Sequence, residues 1–296
     1  MAISHKPIEE QVIVVTGATS GIGLATALLA AQRGARLVLI ARSEDILKAL
    51  VEQIKEIGSE AIYIVADVGD YDSMNKAAQA AVQHFGCIDT WVNNAGVSIY
   101  SRLEETEEAD SRRLFETNFW GVVNGSRAAL PYLKASGGAL INVGSEVSDA
   151  VIPLQGMYSA SKHAVKGYTD ALRVELEDVE DAPISITLIQ PTAVNTPFPQ
   201  HAKNYMDKEP KLPTPMIEPV QVAEAILKAA TSGGRDVKVG AMAVVNTAVS
   251  KLLPSLGDKI SARQANRQQE DFPPRDPEGT LYKPGHDGRI HGHAPT

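Results

Sequence analysis

The chain has 296 residues, of which 44% are apolar and 22% are charged, and its formal net charge is -8. This apolar share supports a large core and excludes wholesale disorder. The acidic balance argues against the basic face that a nucleic-acid partner requires. The single cysteine, Cys87, excludes an internal disulfide and a multi-cysteine metal site.

Nothing in the sequence predicts export or a membrane span. Residues 1–7 lack the apolar stretch of a signal peptide. No apolar run reaches the roughly 18 residues that a transmembrane helix requires. The nearest candidate, residues 239–249, contains Gly240 and Asn246. We expect a cytoplasmic protein without stable membrane insertion.

Short β-branched runs alternate with longer helical patterns between residues 12 and 240. Strands that are apolar throughout and are separated by helices predict a parallel sheet covered on both faces, which is an α/β architecture. The predicted strands are 12–15, 37–40, 61–65, 88–92, 139–143, 184–188 and 237–239. The predicted helices lie near 21–33, 44–57, 71–85, 107–134, 157–179 and 219–231.

Three segments depart from this alternation. Residues 191–219 are rich in proline and predict a long loop, and such loops in α/β domains often bind substrate. Residues 241–260 read as a helical segment. Residues 261–296 are polar and proline-rich, which predicts an extended or disordered tail. We expect this tail to lie near the 191–219 loop, with Phe272 and Tyr282 as its anchors.

A glycine-rich turn follows the first predicted strand and opens the first predicted helix. Glycines allow a tight turn there and let backbone N–H groups approach a pyrophosphate. The position within a strand–turn–helix unit favours dinucleotide binding over a turn that binds nothing. The absence of a following lysine disfavours a nucleoside-triphosphatase. The candidate residues of this turn are Gly17, Thr19, Ser20, Gly21, Ile22 and Gly23.

The end of the second predicted strand bears on the choice of cofactor. An acid at this place usually binds the ribose 2′-hydroxyl of NAD(H). The strand instead ends in Ala41 and Arg42, and an arginine there could pair with the 2′-phosphate of NADP(H). Arg42 could also be a solvated surface residue, and Glu44 or Asp45 could still reach the ribose. We therefore predict that NADP(H) is preferred and that NAD(H) is possible.

A tyrosine and a lysine lie four residues apart on a predicted helix, and a serine precedes them. Tyr158 and Lys162 share one helix face, and a nearby ammonium lowers a phenol pKa toward neutrality. This makes Tyr158 a candidate acid/base for a carbonyl–alcohol pair. Ser145 follows the strand at 139–143, at the sheet edge where α/β proteins bind ligands.

Together with Asp67-Val68, Asn93-Asn94-Ala95-Gly96 and Asn118, these motifs resemble the short-chain dehydrogenase/reductase family in order and spacing. The resemblance covers residues 8–240 and implies one Rossmann-type catalytic domain. Its expected fold is a doubly wound parallel sheet of about seven strands flanked by helices.

The resemblance also implies catalytic roles. Tyr158 would exchange the proton, and Ser145 would hydrogen-bond the substrate oxygen. Lys162 would bind the nicotinamide ribose and lower the tyrosine pKa, and Asn118 would hold a water that links Lys162 to solvent. The further cofactor contacts that it implies are Asp67, Val68, Asn94, Ala95, Gly96, Pro191, Val194 and Thr196. The family usually has glycine after the proline at 191, whereas Thr192 stands here, so the local backbone is expected to differ.

Members of the family usually pair through two long helices, which correspond to residues 107–134 and 157–179 here. This implies a homodimer or homotetramer. The first of these helices offers more apolar surface than one sheet face requires, through Leu114, Phe115, Phe119, Val122 and Val123.

The leading hypothesis is therefore an NADP(H)-dependent alcohol dehydrogenase or carbonyl reductase. An apolar set of expected pocket residues favours a hydrophobic small-molecule substrate. The alternatives are a catalytically idle dinucleotide-binding sensor or scaffold, and an epimerase or dehydratase of the same fold. The expected pocket residues are Val97, Tyr100, Val147, Ile152, Leu154, Met157, Phe198 and Tyr205.

The histidines do not form a recognisable site. His84, His163 and His201 are scattered and are expected to be surface or packing residues. His286, His291 and His293 lie in the polar tail, where only adventitious metal binding is expected. We predict no metal centre.

Overall fold

The computed structural model describes residues 5–292. The first four residues of the N-terminal segment and His293 of the tail lie outside this range. The strands of the chain are β1 (Val12–Thr16), β2 (Arg36–Ala41), β3 (Ala61–Val65), β4 (Thr90–Asn93), β5 (Ile99–Tyr100), β6 (Ala139–Val143), β7 (Ser185–Pro191), β8 (Lys203–Asn204) and β9 (Asp236–Val239). The α-helices are α1 (Gly21–Gln32), α2 (Glu44–Ile57), α3 (Tyr71–Phe85), α4 (Glu108–Phe115), α5 (Gly121–Ser136), α6 (Gly156–Arg173), α7 (Pro219–Ser232), α8 (Ala241–Leu252) and α9 (Pro254–Gln264).

A seven-stranded parallel sheet in the order β3-β2-β1-β4-β6-β7-β9 forms the centre of the fold. Every pairing within it is parallel, and β1 lies where the strand order reverses. This arrangement confirms the predicted doubly wound α/β fold. Ligands bind at such a reversal, beyond the carboxyl ends of the strands, so the topology places the candidate site beside β1 and β4.

The strands β1, β2 and β6 are largely apolar because helices cover both faces of the sheet. In β1, Ile13 and Val15 pack into one core with α1, α2 and α7. Val12 and Val14 point the other way, into a second core with α3, α5 and α6. The alternation of a β-strand thus divides one continuous hydrophobic run between two cores.

The long helix predicted at 107–134 is interrupted by a π-helical turn. Residues Glu116–Trp120 form this turn between α4 and α5, and Asn118 lies within it. A second π-helical turn, Val174–Val179, extends α6. Such turns often occur at functional sites, where they change the direction of a side chain within an otherwise regular helix.

The C-terminal part of the chain folds back over the body. After α9 and a short 3-10 turn, the segment 268–292, named here the C-terminal strap, has no regular secondary structure. It runs beside the 191–219 loop, where the backbone N–H groups of Asn204 and Lys211 donate to the carbonyls of Pro277 and Gln268. The loop is itself tied to the domain by β8, which pairs with β5.

The strap's anchors differ in part from the predicted pair. Leu281 is fully buried, whereas Tyr282 is exposed and is held by a 2.7 Å hydrogen bond from its hydroxyl to Asp110. Phe272 is half-buried and its ring lies 5.0 Å from the Arg275 guanidinium. Within residues 5–292, no helix combines the length and the hydropathy needed to cross a membrane.

Candidate active site

The glycine-rich turn is shaped by the close approach of α1 to the end of β1. Gly17 and Gly21 have φ angles of +66° and +52°, which side chains rarely tolerate. A Cβ on Gly23 would lie 2.1 Å from the carbonyl oxygen of Gly17. These glycines keep the first amides of α1 close to the sheet edge, where they can face an anionic ligand.

Asn94, after β4, braces this turn. Its side-chain amide donates to the carbonyls of Thr16 at 3.0 Å and Gly17 at 3.3 Å. The Thr16 hydroxyl in turn accepts from the backbone of Asn94 and Ala95. The ends of β1 and β4 are thereby joined, which fixes the floor of the groove between them.

Lys162 is almost fully buried, with 4% of its surface exposed. Its ammonium donates to the Val143 carbonyl at 2.8 Å. A Cβ on Gly96 would lie 3.5 Å from Asn118 Oδ1 and 3.9 Å from Lys162 Nζ, so both side chains lie close to this glycine. Asn118 is fully buried and exchanges hydrogen bonds with the backbone of Val97.

Tyr158 and Ser145 face each other beside Lys162. Burial raises the pKa of Tyr158 to about 12, and interaction with the Ser145 hydroxyl opposes that rise. The Lys162 ammonium lies 5.7 Å from the centre of the tyrosine ring, and burial lowers the pKa of Lys162 to about 8. The predicted lowering of the Tyr158 pKa toward neutrality is therefore absent here, because the loss of solvent outweighs the favourable groups.

Arg42 lies at the end of β2, as predicted, but it also binds the strap. Its guanidinium donates to the carbonyls of Thr280 at 2.5 Å, Lys283 at 3.1 Å and Leu281 at 3.4 Å. The Ser43 hydroxyl donates to a further strap carbonyl, that of Gly285, at 2.7 Å. Arg42 is therefore both a wall of the groove and an anchor of the strap.

Asp67, at the predicted adenine contact, is paired with Arg113 of α4. Although burial opposes it, this pairing lowers the pKa of Asp67. Burial lowers the pKa of Arg42. The charge of Asp67 opposes this lowering, and the charge of Arg113 adds to it. Because one acid faces two guanidinium groups, this corner of the groove is net positive.

The backbone after β7 accommodates threonine where the family usually has glycine. Thr192 does not have a positive φ, and its N–H donates to the Val239 carbonyl at 3.1 Å. Its methyl group fits against Gly240, where a Cβ would approach to 2.6 Å. A glycine at 240, with a φ of +92°, makes the space that Thr192 occupies.

One cavity brings together the predicted site residues of the turn, β2, β4, β6, α6 and β7. Gly23 and Asn118 do not line it: the first lets α1 approach the turn, and the second lies buried behind Gly96. The predicted residues on its wall are Gly17, Thr19, Ser20, Gly21, Ile22, Arg42, Asp67, Val68, Asn94, Ala95, Gly96, Ser145, Tyr158, Lys162, Pro191, Val194 and Thr196.

The expected apolar pocket is only partly formed. Val97, Val147, Ile152 and Phe198 line the cavity. The remaining expected residues, Tyr100, Leu154, Met157 and Tyr205, do not line it. Tyr100 is fully buried, and Met157 and Tyr205 pack against a separate apolar cluster that includes Leu114 and Leu281.

Several polar residues on the cavity wall were not predicted. His201, expected to be a surface or packing residue, lines the cavity and bonds to Asp287 of the strap at 2.8 Å. Gln155 and Glu146 also line it. Glu146 directly follows Ser145, which is the sequence signal that could have identified it. No short-range signal identifies Asp287, because its position depends on the path of the strap.

The groove has the features that a dinucleotide requires. Its backbone at Gly17, Gly21 and Gly96 is free of side chains, and the amides at the start of α1 lie at the sheet edge. A net positive corner lies at one end and a tyrosine–serine–lysine group at the other. Within residues 5–292, no cluster of three or more histidine, cysteine or acidic side chains suits a metal ion.

Comparisons with known proteins agree with this geometry. A sequence-family model described as short chain dehydrogenase matches residues 11–206. The uncharacterized oxidoreductase YxnA of Bacillus subtilis (strain 168) is 44% identical over 285 residues, which cover 95% of this chain and 80% of that protein. The 11-beta-hydroxysteroid dehydrogenase A of Sesamum indicum is 34% identical over 236 residues, covering 76% of this chain and 67% of that protein.

A solved structure shows the same likeness. It is an alcohol dehydrogenase from the archaeon Thermococcus sibiricus complexed with 5-hydroxy-NADP. The TM-score is 0.67 and the sequence identity is 30%, with 77% of this chain and 94% of the other covered.

Proposed function

Because the chain belongs to the short-chain dehydrogenase family, we propose that it is an NADP(H)-dependent oxidoreductase that interconverts an alcohol and a carbonyl group on a small molecule. The observation that carries the proposal is the grouping of Tyr158, Ser145 and Lys162 on the wall of the cavity that the glycine-rich turn also lines. The cofactor would lie along this groove, with its phosphates at the turn and its nicotinamide beside Tyr158.

The nicotinamide, when bound, supplies the acceptor or donor of the hydride. For oxidation, the Tyr158 phenolate takes the proton from the substrate hydroxyl while the adjacent C–H bond gives up a hydride and a C=O bond forms. For reduction, the Tyr158 phenol returns the proton to the alkoxide oxygen. Ser145 hydrogen-bonds that oxygen, and Lys162 holds the ribose and favours the phenolate.

The charge at the end of β2 supports a preference for NADP(H). Within residues 5–292, Asp67 forms its ion pair with Arg113 and no acid forms one with Arg42, and the carbonyl groups that Arg42 contacts are neutral. A 2′-phosphate would bring the missing negative charge. The solved relative from Thermococcus sibiricus was complexed with an NADP analogue, which agrees with this choice.

The substrate side of the cavity supports an organic substrate with both apolar and polar parts. Val147, Ile152 and Phe198 offer apolar contacts, and Glu146 and Gln155 offer polar ones. We therefore infer a carbon skeleton that carries polar groups, rather than the purely hydrophobic substrate expected from the sequence.

We also propose that the protein is a homo-oligomer. The stripe expected to pair the subunits is largely used within the chain, since Leu114, Val122 and Val123 are buried. Apolar side chains remain exposed at the π-helical turns instead, with Trp120 46% exposed and Val179 76% exposed. Light scattering on the purified chain tests this proposal, and a monomer would contradict it.

The direct test of the function is an assay of the purified chain with NADPH and a panel of small aldehydes and ketones. We expect carbonyl-dependent loss of the absorbance of the reduced nicotinamide. Tight NADPH binding without any turnover would favour the sensor or scaffold alternative. Conversion of substrate without net change in the nicotinamide would favour an epimerase.

A further inference from the structure

Glu146 places a carboxylate on the wall of the cavity, next to the residues that handle the proton. It is the first residue of a 3-10 turn, Glu146–Ser148, that is capped by Ser145. Glu146 directly follows Ser145 and lines the same cavity as Ser145 and Tyr158. Its charge also raises the pKa of Tyr158.

The carboxylate is held in place by two neutral groups. Asn246 of α8 donates to its Oε2 at 2.9 Å. The Thr192 hydroxyl also stabilises the charged form, although burial is the larger effect and raises the pKa of Glu146. Both partners lie where this chain differs from the family pattern. Helix α8 is outside the region that the family model matches, and Thr192 stands where the family usually has glycine.

Within residues 5–292, no basic side chain forms an ion pair with Glu146, which distinguishes it from nearby Asp149. A carboxylate can accept about four hydrogen bonds. Asn246 and Thr192 leave part of that capacity unused on a group that faces the cavity. A hydrogen-bond donor of a ligand in the cavity can use that remaining capacity.

We propose that Glu146 is a specificity-determining residue that accepts a hydrogen bond from a second hydroxyl group of the substrate, one or two carbons from the reacting carbon. The substrate class is then a vicinal diol or a hydroxy-carbonyl compound. A carboxylate selects donors, which gives a hydroxyl or an ammonium group. The hydroxyl is favoured because the buried ammonium of Lys162, on the wall of the same cavity, would repel a second cation.

This inference rests on the proposed function, so the experiment separates the two. We would measure kcat/KM with NADP+ for cyclic and linear monoalcohols, each matched to the vicinal diol on the same carbon skeleton. We expect the wild-type chain to prefer the diols by at least about tenfold, as a site built to bind a hydroxyl rejects the analogue that lacks it. No turnover of any compound would contradict the proposed function itself.

Three variants test the role of Glu146. E146Q and E146D should each lose most of the diol preference, measured as the ratio of kcat/KM for the diol to kcat/KM for the matched monoalcohol, the first by removing the acceptor charge and the second by withdrawing it. E52Q removes an exposed carboxylate on α2 and should change nothing. A preference that persists in both Glu146 variants, or a stronger preference for amino alcohols than for diols, would overturn the proposal.

A second readout distinguishes a contact from a purely structural role. The charged groups around Tyr158 are Glu146 on its 3-10 turn and Lys162 on α6. The buried phenol of Tyr100 also interacts electrostatically with Tyr158. Since the Glu146 charge raises the Tyr158 pKa, E146Q should move the rise of oxidation activity to lower pH, whereas E146D should leave it nearly unchanged. An identical pH profile in wild type and E146Q would also overturn the proposal.

Discussion

At the scale of single residues, the chemistry depends on a phenol that the protein has largely withdrawn from water. Burial raises the pKa of Tyr158 to about 12, and the Ser145 hydroxyl favours its ionised form. A phenol in this state is well suited to giving a proton to a developing alkoxide. Oxidation needs the phenolate, so its rate should rise with pH while reduction falls.

The change Lys162→Met tests the contribution of the ammonium. The Lys162 nitrogen lies 5.7 Å from the centre of the tyrosine ring, and a cation beside a phenol favours the phenolate, so we expect its loss to raise the pKa of Tyr158. We expect the pH at which oxidation activity appears to increase by about one unit or more, with weaker cofactor binding. The pH profiles of kcat and the NADPH dissociation constant measure both effects. A variant with the wild-type profile and affinity would refute the role of Lys162.

The preference for NADP(H) is tested at Ala41 and Arg42. Changing Ala41→Asp together with Arg42→Ala removes the cation and adds an acid that repels a 2′-phosphate. We expect the ratio of NADPH to NADH affinity to reverse, as measured by fluorescence titration.

A matched control is needed because Arg42 also holds the strap. Ser43→Ala removes one hydrogen bond to the strap, from the hydroxyl to Gly285, without a change of charge. This variant should bind both cofactors more weakly and keep the wild-type ratio. Tighter binding of NADH than NADPH by the wild-type chain would contradict the interpretation of Arg42.

At the scale of secondary structure elements, the site exists because α1 approaches β1 closely enough to present its first amides. Gly23→Ala places a Cβ against the Gly17 carbonyl and forces the turn to move. We expect a loss of stability of about 1–3 kcal/mol and at least about tenfold weaker NADPH binding, because the turn can no longer place its amides.

Gly167→Ala in α6 is the matched control for that prediction. No atom lies within 4 Å of the position that its Cβ would take. Alanine is favoured over glycine in a helix interior by about 0.5–1 kcal/mol, so this variant should be as stable as wild type or slightly more. Chemical denaturation measures both variants. Equal stability and NADPH affinity in the Gly23 variant and wild type would show that the close approach is not needed.

The elements were predictable where local pattern and tertiary packing agree. The central strands are continuous apolar runs because both faces of the sheet are buried there, and the predicted strand at 12–15 lies within β1. The π-helical turn at Glu116–Trp120 was not predicted, because the pattern at 107–134 was interpreted as one continuous helix. Individual sequence patterns also did not reveal that Gly240 makes room for Thr192, which is a contact between distant segments.

At the scale of the whole molecule, the strap joins the two ends of the candidate site. It contacts His201 in the substrate loop and then Arg42 and Ser43 at the end of β2. Further along, the carbonyl of Arg289 in the strap accepts a 2.9 Å hydrogen bond from the N–H of Gly21. The match with YxnA covers 95% of this chain, so it includes most of the tail, whereas the family model ends at residue 206.

The sequence predicted the approach of the strap to the 191–219 loop but not its return across Arg42 and Gly21, for a physical reason. Many of the hydrogen bonds that hold the strap are accepted by its backbone carbonyls, which every residue possesses, so no side-chain pattern marks those partners. The acidic group that anchors it, Asp110, also binds Tyr205 of the substrate loop at 2.6 Å and thus couples the two segments. Sequence reasoning identified Tyr282 as an anchor but not Leu281, a single apolar residue in a polar stretch.

Truncation after Gln268 tests what the strap does. The strap contacts Arg42, Ser43 and Gly21 on the groove wall, so its removal should open the groove. We expect NADPH to dissociate at least about tenfold faster, which corresponds to the loss of one or two net hydrogen bonds. Stopped-flow fluorescence measures this rate. A chain that ends at Gly292 is the control and should behave as wild type. An unchanged dissociation rate after the longer truncation would make the strap irrelevant to the cofactor.

The central claim is that Tyr158 transfers the proton in a reaction coupled to NADP(H). The most direct test compares wild type with Tyr158→Phe in the steady-state rate of carbonyl-dependent NADPH oxidation, with NADPH affinity measured in parallel. Phenylalanine removes only the hydroxyl, so the affinity should stay within about twofold while turnover falls by at least about 100-fold, the usual loss when an acid/base group is removed. Turnover close to wild type in this variant would contradict the account.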